Sequence, residues 1–187
     1  MTSMSTAPAA MAPAAMALGS AWFGRAMAAL RIYFGIIYLH NGIAKLLPAI
    51  PNLWPDTPLG FVINATGNRS AQSILQFEVV TQPHPVEPYR ALVEQVVLPN
   101  FGLFAAGIGA LEVTVGLLLI LGLATPVAAI LAAGMALHLQ FATLWNDKWI
   151  YEYSLTWLPL LCIAAFRAGR WHGLDARLAS RNRRWPG

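Results

Sequence analysis

Several ionisable or strongly polar side chains stand inside apolar stretches of this 187-residue chain, where each is costly unless it faces protein or water. Glu112 is the clearest. It follows Phe101 by eleven positions, about 16 Å along a helix axis, near the middle of a hydrocarbon layer about 30 Å thick. Gly102, Gly109 and Gly116 repeat every seven residues, and the last two stand at i−3 and i+4 from Glu112. The carboxyl thus shares a face with small residues that let another helix approach closely. It should point into a bundle, either protonated or paired with a base. His40 precedes Leu47, and His138 precedes Trp145, by the same seven positions, which puts both imidazoles about 10 Å below one surface. Asn41 and Lys45 share a helix face with Tyr38, while His40 is turned about 100° away. Lys45 is long enough to reach toward the interface. Gly134, His138, Phe141 and Trp145 form one stripe.

These residue types suit proton transfer and recognition of a polar head group. Glu112, His138 and His40 are the candidate acid–base residues; Tyr38, Asn41, Lys45 and Trp145 are the candidate substrate-binding residues. Plain hydrogen bonding between helices suits the same side chains, and Lys45, Asp147, Lys148 and Glu152 also fit a solvated rim. No metal site is expected. The single cysteine, Cys162, excludes an intrachain disulfide and a cysteine-based metal cluster. Equal depth leaves a haem held between His40 and His138 as a further reading. Zinc enzymes and nucleophilic hydrolases find no constellation.

The elements that must carry these residues are membrane helices. The chain is 57% hydrophobic and 11% charged, with mean hydropathy +0.55, against about 25% charged residues in soluble domains. A water-exposed globule of this composition would lack polar surface. The fold expected is an all-α membrane protein, a four-helix transmembrane bundle with an extracytoplasmic loop of short helices between helices 1 and 2. The apolar segments run over about 27–47, 101–123, 126–145 and 150–166, each near the 20 residues needed to span. Thr125 reads as the cap of the third and Pro126 as its first residue; Pro159 is expected to bend the fourth. Residues 1–21, uncharged and rich in Ala and Pro, read as a disordered tail ahead of a membrane domain over 22–178.

Half of the twelve Lys and Arg residues lie between Arg167 and Arg184, while Lys148 is the only one between the third and fourth segments. That bias makes 179–187 a basic cytoplasmic tail and puts both termini in the cytoplasm, in a multi-pass protein of the inner (plasma) membrane. Because the basic residues cluster as a topology signal, the net charge of +4 does not argue for nucleic acid. Within the loop 48–99, Gln72–Val80 and Tyr89–Leu98 have helical spacing, with Leu92, Val93, Val96 and Val97 as an apolar stripe on the second. These should be interfacial helices packed over the mouth of the bundle.

Three stretches then resemble one family. Gly35, Tyr38 and the run from Asn41 through Gly42, Ile43, Ala44 and Lys45 to Leu46 resemble the DoxX/DoxD group of small membrane proteins, as does Glu112 through Gly122. The closing Gly169-Arg170-Trp171-His172-Gly173-Leu174-Asp175 resembles the same family's signature. The likeness covers about residues 25–178. The long insertion looks more like the DoxD side, the large membrane subunit of thiosulfate:quinone oxidoreductase. The family often carries His at the place of Asn41; here the imidazole comes one position earlier, on another face.

The resemblance implies a four-helix bundle linked to quinone reduction. On that reading a quinone is the co-substrate, Glu112 relays protons, and His138 or His40 and Tyr38 meet the head group; any further cofactor is unknown. Thiosulfate would approach from outside, drawn by Lys45, Arg69, Arg90 and Lys148. The chain has no flavin, haem-c or iron–sulfur motif, so electrons come from a partner or a bound reductant. The partners expected are the lipid bilayer and a soluble redox subunit. The other reading is a non-catalytic membrane component, either a small-molecule carrier or an anchor for that subunit on the basic segment from Asp175 to Arg184.

Overall fold

Long apolar runs become helices close to their expected ends. A computed structural model describes residues 13–47, 68–82, 84–143 and 150–181. All regular structure among them is helical. Helix α1 spans Pro13–Leu46. Helix α2, Asn68–Leu75, runs on into a π-helical segment, Gln76–Thr81. Helix α3, Glu87–Leu92, does the same over Val93–Val97. Then come α4 (Phe101–Leu121), α5 (Thr125–Thr143) and α6 (Ile150–Ala165), a 3-10 turn over Ala168–Arg170, and α7 (Leu174–Arg181).

Two differences from expectation concern helix starts. α1 begins at Pro13, so residues 13–21 extend the helix instead of forming a tail; Ala-rich sequence without glycine until Gly19 has the propensity to do so. At α5 the helix starts at Thr125, one residue earlier than expected, and the Thr125 hydroxyl is buried without a hydrogen bond. The capping group is instead the carboxylate of Asp175, which accepts hydrogen bonds from the backbone N–H groups of Ala124 and Thr125 at 2.8 and 2.9 Å. Pro159 lies within α6, which continues through it.

α1 lies along α4 and α5 along α6, each pair antiparallel, around a core that includes Phe34, Val115, Leu119, Leu160 and Ile163. The inner face of α5 is almost entirely alanine, with Ala128, Ala129, Ala132 and Ala133 buried, so its neighbours approach closely. α4 and α5 are by themselves long and apolar enough to cross a membrane, with mean hydropathy 2.2 and 1.5. The apolar part of α6, Ser154–Ala165, is shorter, and α1 is long but carries Arg25, Arg31 and Lys45.

The segment between α1 and α4 packs on the end of α5: Val79 and Val93 from the two π-helical segments close with Ala142 into a separate small core. Of the expected stripe only Val93 is buried. Leu92 and Val96 are exposed, because the π-helical turn rotates this stretch away from regular α spacing. The expected signals at Trp145, Asp147 and Lys148, and at Arg183 and Arg184, lie outside the described residues.

Candidate functional site

The candidate site begins with glycine. Added Cβ atoms at Gly35, Gly42 and Gly116 would each meet backbone of the facing helix: at Gly42, the Gly109 carbonyl oxygen and the Val113 nitrogen at 2.6 Å, and at Gly35, the Ile120 nitrogen at 2.9 Å. α1 and α4 therefore touch backbone to backbone, Gly42 against Gly109 and Gly35 against Gly116. The seven-residue repeat on α4 is used at Gly109 and Gly116. Gly102 has open space around it and belongs to no helix contact.

That close approach delivers Lys45 to Glu112. The Lys45 Nζ donates to both carboxylate oxygens, at 2.9 Å to Oε1 and 2.8 Å to Oε2. The two side chains are only 9% and 12% exposed. Glu112 points into the bundle, as its glycine neighbours indicate, and its partner is the lysine that the sequence also allowed as a rim charge. Lys45 sits on the last turn of α1, so Glu112 lies level with the end of that helix. Breaking an enclosed pair of this kind costs about 3–5 kcal/mol, because the remaining charge is left unmatched.

The other residues of the α1 motif surround the pair without all joining it. The Tyr38 hydroxyl donates to the Ala132 carbonyl on α5 at 2.7 Å, and Tyr38 lies close enough to Glu112 to feel its charge. Asn41 turns back on its own helix, its Nδ2 donating to the Ile37 carbonyl at 2.9 Å. His40 is half-buried on a neighbouring face. Trp145 lies outside the described residues.

His138 belongs to a second cluster. It is exposed on α5 and its Nε2 shares a 3.2 Å hydrogen bond with the Tyr89 hydroxyl from α3. Behind it, buried His84 places Nε2 3.0 Å from the Phe141 carbonyl, and its Nδ1 accepts from the Val86 N–H at 3.2 Å. Since Nδ1 accepts, Nε2 carries the proton and donates, which makes His84 neutral with a fixed tautomer. The rings of His84, Tyr89 and Phe141 stand about 5 Å apart, edge to face or tilted. Burial pushes the Tyr89 phenol above its ordinary value, so it stays protonated. Thus the structure separates the sequence-named residues: Lys45, Glu112 and Tyr38 on one side, His138 with the loop on the other.

Sequence reasoning singled out neither His84 nor Tyr89, since their role depends on a loop folding back on α5. It also passed over Gln140, which is buried and accepts from the Trp157 indole N–H at 2.7 Å, joining α5 to α6. At the opposite end of the bundle the closing motif has a structural task. Fully buried Asp175 also donates its own N–H to the Gly122 carbonyl at 2.8 Å. The buried Arg31 guanidinium donates to the carbonyls of Leu119 and Ile120. Gly122 has φ +65°, and a Cβ there would run into Arg31 and Gly173. Of the loop-side cations, Lys45 is paired with Glu112, and Arg90 with Glu87 at 2.7 Å. The side chains of Arg69 and Lys148 lie outside the described residues.

No group of three or more metal-ligating side chains occurs among the described residues. A family model described as DoxD, TQO small subunit DoxD, matches residues 26–186. That description names a small subunit, where the resemblance read from the sequence implied a large one. No curated protein and no solved structure matches the chain.

Proposed function

The chain belongs to the DoxD family, and from that premise we propose that it is a membrane subunit of a thiosulfate:quinone oxidoreductase-like assembly, serving the quinone side of the reaction. The observation that carries the reading is the enclosed pair of Lys45 and Glu112. α1 and α4 also touch through their glycines, so the pair is one of several contacts between them. A quinone takes up two electrons and two protons to become a quinol. The ammonium can give its proton to a reduced quinone, which leaves the carboxylate anionic until a second proton arrives from the aqueous side to restore the pair. Electrons from thiosulfate reach the quinone by way of a partner subunit.

In this reading α1, α4, α5 and α6 all cross the plasma membrane, with both termini cytoplasmic and α2 and α3 outside. Large apolar side chains facing outward on all four helices support it, among them Ile36, Leu103, Ile130 and Leu155. So do the exposed arginines 167, 170, 177 and 181, gathered at one end.

The test is quinol formation by the assembly purified with its co-purifying subunits, given thiosulfate and a short-chain quinone. Glu112→Gln should lower turnover about 100-fold while the subunits stay together. A wild-type assembly that reduces no quinone ends the reading. The outward arginines of α7 favour a second one, an anchor for a soluble redox partner. Loss of a stoichiometric partner on neutralising Arg177 and Arg181, with no quinone reduction by the wild-type assembly, would support it.

A further inference from the structure

Resting on the quinone reading above, we propose that the quinone head group binds at the Tyr89–His138 pair, on the outward face of α5, with its tail laid along Gly134, Leu131 and Val127. The argument begins with hydrogen-bond arithmetic. A neutral Tyr–His pair holds two polar hydrogens, one on the phenol and one on the imidazole. Their mutual bond uses one of them. If Tyr89 donates to Nε2, the Nδ1–H of His138 is left over; if Nε2–H donates, the phenolic O–H is left over. Either way the pair offers one unused donor beside an exposed apolar stretch of α5. A quinone carbonyl is an acceptor attached to an apolar body and answers that donor.

The surroundings fit the same molecule. His138 is exposed, whereas the Lys45 and Glu112 side chains are only 9% and 12% exposed. Phe141 and the fixed ring of His84 back the phenol and hold it in place. One turn along α5 from His138, Gly134 has nothing within 4 Å of where a Cβ would stand, so there is open space beside the donor. Leu131 and Val127 continue the same face at 44% and 53% exposure. They give a flexible apolar tail a track in the direction of the membrane interior.

The experiment uses the full chain in lipid nanodiscs and two probes, a long-tailed quinone and a tailless benzoquinone, with photo-crosslinking of an azido-derivative to map the contact. Tyr89→Phe and His138→Phe should each weaken both probes about tenfold. Gly134→Leu fills open space without touching the polar pair; it should weaken the long-tailed probe about tenfold and leave the tailless one unchanged. The label should fall on the α5 stretch from Val127 to Phe141. Wild-type binding with labelling elsewhere, or with Gly134→Leu indifferent to the tail, overturns this site and leaves the quinone reading standing. Wild-type protein that binds neither probe overturns both.

Discussion

Lys45 and Glu112 stand sixty-seven positions apart in the chain, yet one ammonium bonds both oxygens of one carboxylate. The relationship exists because glycines at 42 and 109 let the two helix backbones touch one turn away. Single replacement should therefore be much worse than double. Lys45→Met or Glu112→Leu alone is expected to cost about 3–5 kcal/mol, and the two together substantially less. Thermal unfolding in detergent of the four combinations measures this; additive costs would show that the side chains do not interact.

Helix approach itself is open to test. Gly42→Val or Gly116→Val should cost more than the 1–3 kcal/mol typical of overpacking, because the obstacle is backbone that cannot turn aside. Gly102→Ala and Gly107→Ala meet nothing and should be neutral or stabilising by up to about 1 kcal/mol. Unfolding temperatures of the four variants, compared at one detergent concentration, decide between a glycine joint and a mere preference for small residues.

How much of this was legible beforehand depends on what each feature needs. The ends of α4 and the start of α5 could be read because an apolar run is bounded where its glycine or proline stands, and the inward face of Glu112 because Gly109 and Gly116 flank it at helical spacing. Its partner was not legible: Lys45 ends a helix, and a lysine there suits a solvated rim equally well until the depth of α4 against α1 is known. Tyr89, His84 and Gln140 were silent for another reason. Nothing in the sequence names their partners: folding of the loop onto α5 brings His84 and Tyr89 to Phe141 and His138, and packing of α5 on α6 brings Gln140 to Trp157.

The closing motif supplies a third expectation. Asp175→Ala removes the acceptor for two buried N–H groups and should cost about 1–3 kcal/mol. Asp175→Asn, keeping one acceptor oxygen, should recover part of it. Proteolytic susceptibility near residues 121–126, followed by mass spectrometry, distinguishes the two and would show no change if the aspartate were ornamental.

The loop should carry an alkaline limit. Burial holds the Tyr89 phenol above the 10.0 of a free phenol, so the folded state disfavours ionisation. Its contribution is complete below about pH 10 and is lost as pH rises through the higher folded value. Hydrogen exchange over residues 84–98 should accelerate above pH 10 in the wild type and stay flatter in Tyr89→Phe. Identical profiles would show that the phenol is not enclosed.

The carboxylate at the start of α5 belongs to a residue synthesised fifty positions later. Until that residue is made those two amides lack this acceptor, since neither the Thr125 hydroxyl nor any acidic residue in the first turn replaces it. Assembly therefore has a built-in order. The start of α5 is capped only when α7 folds back onto the α4–α5 turn, so a chain halted before Asp175 lacks both hydrogen bonds.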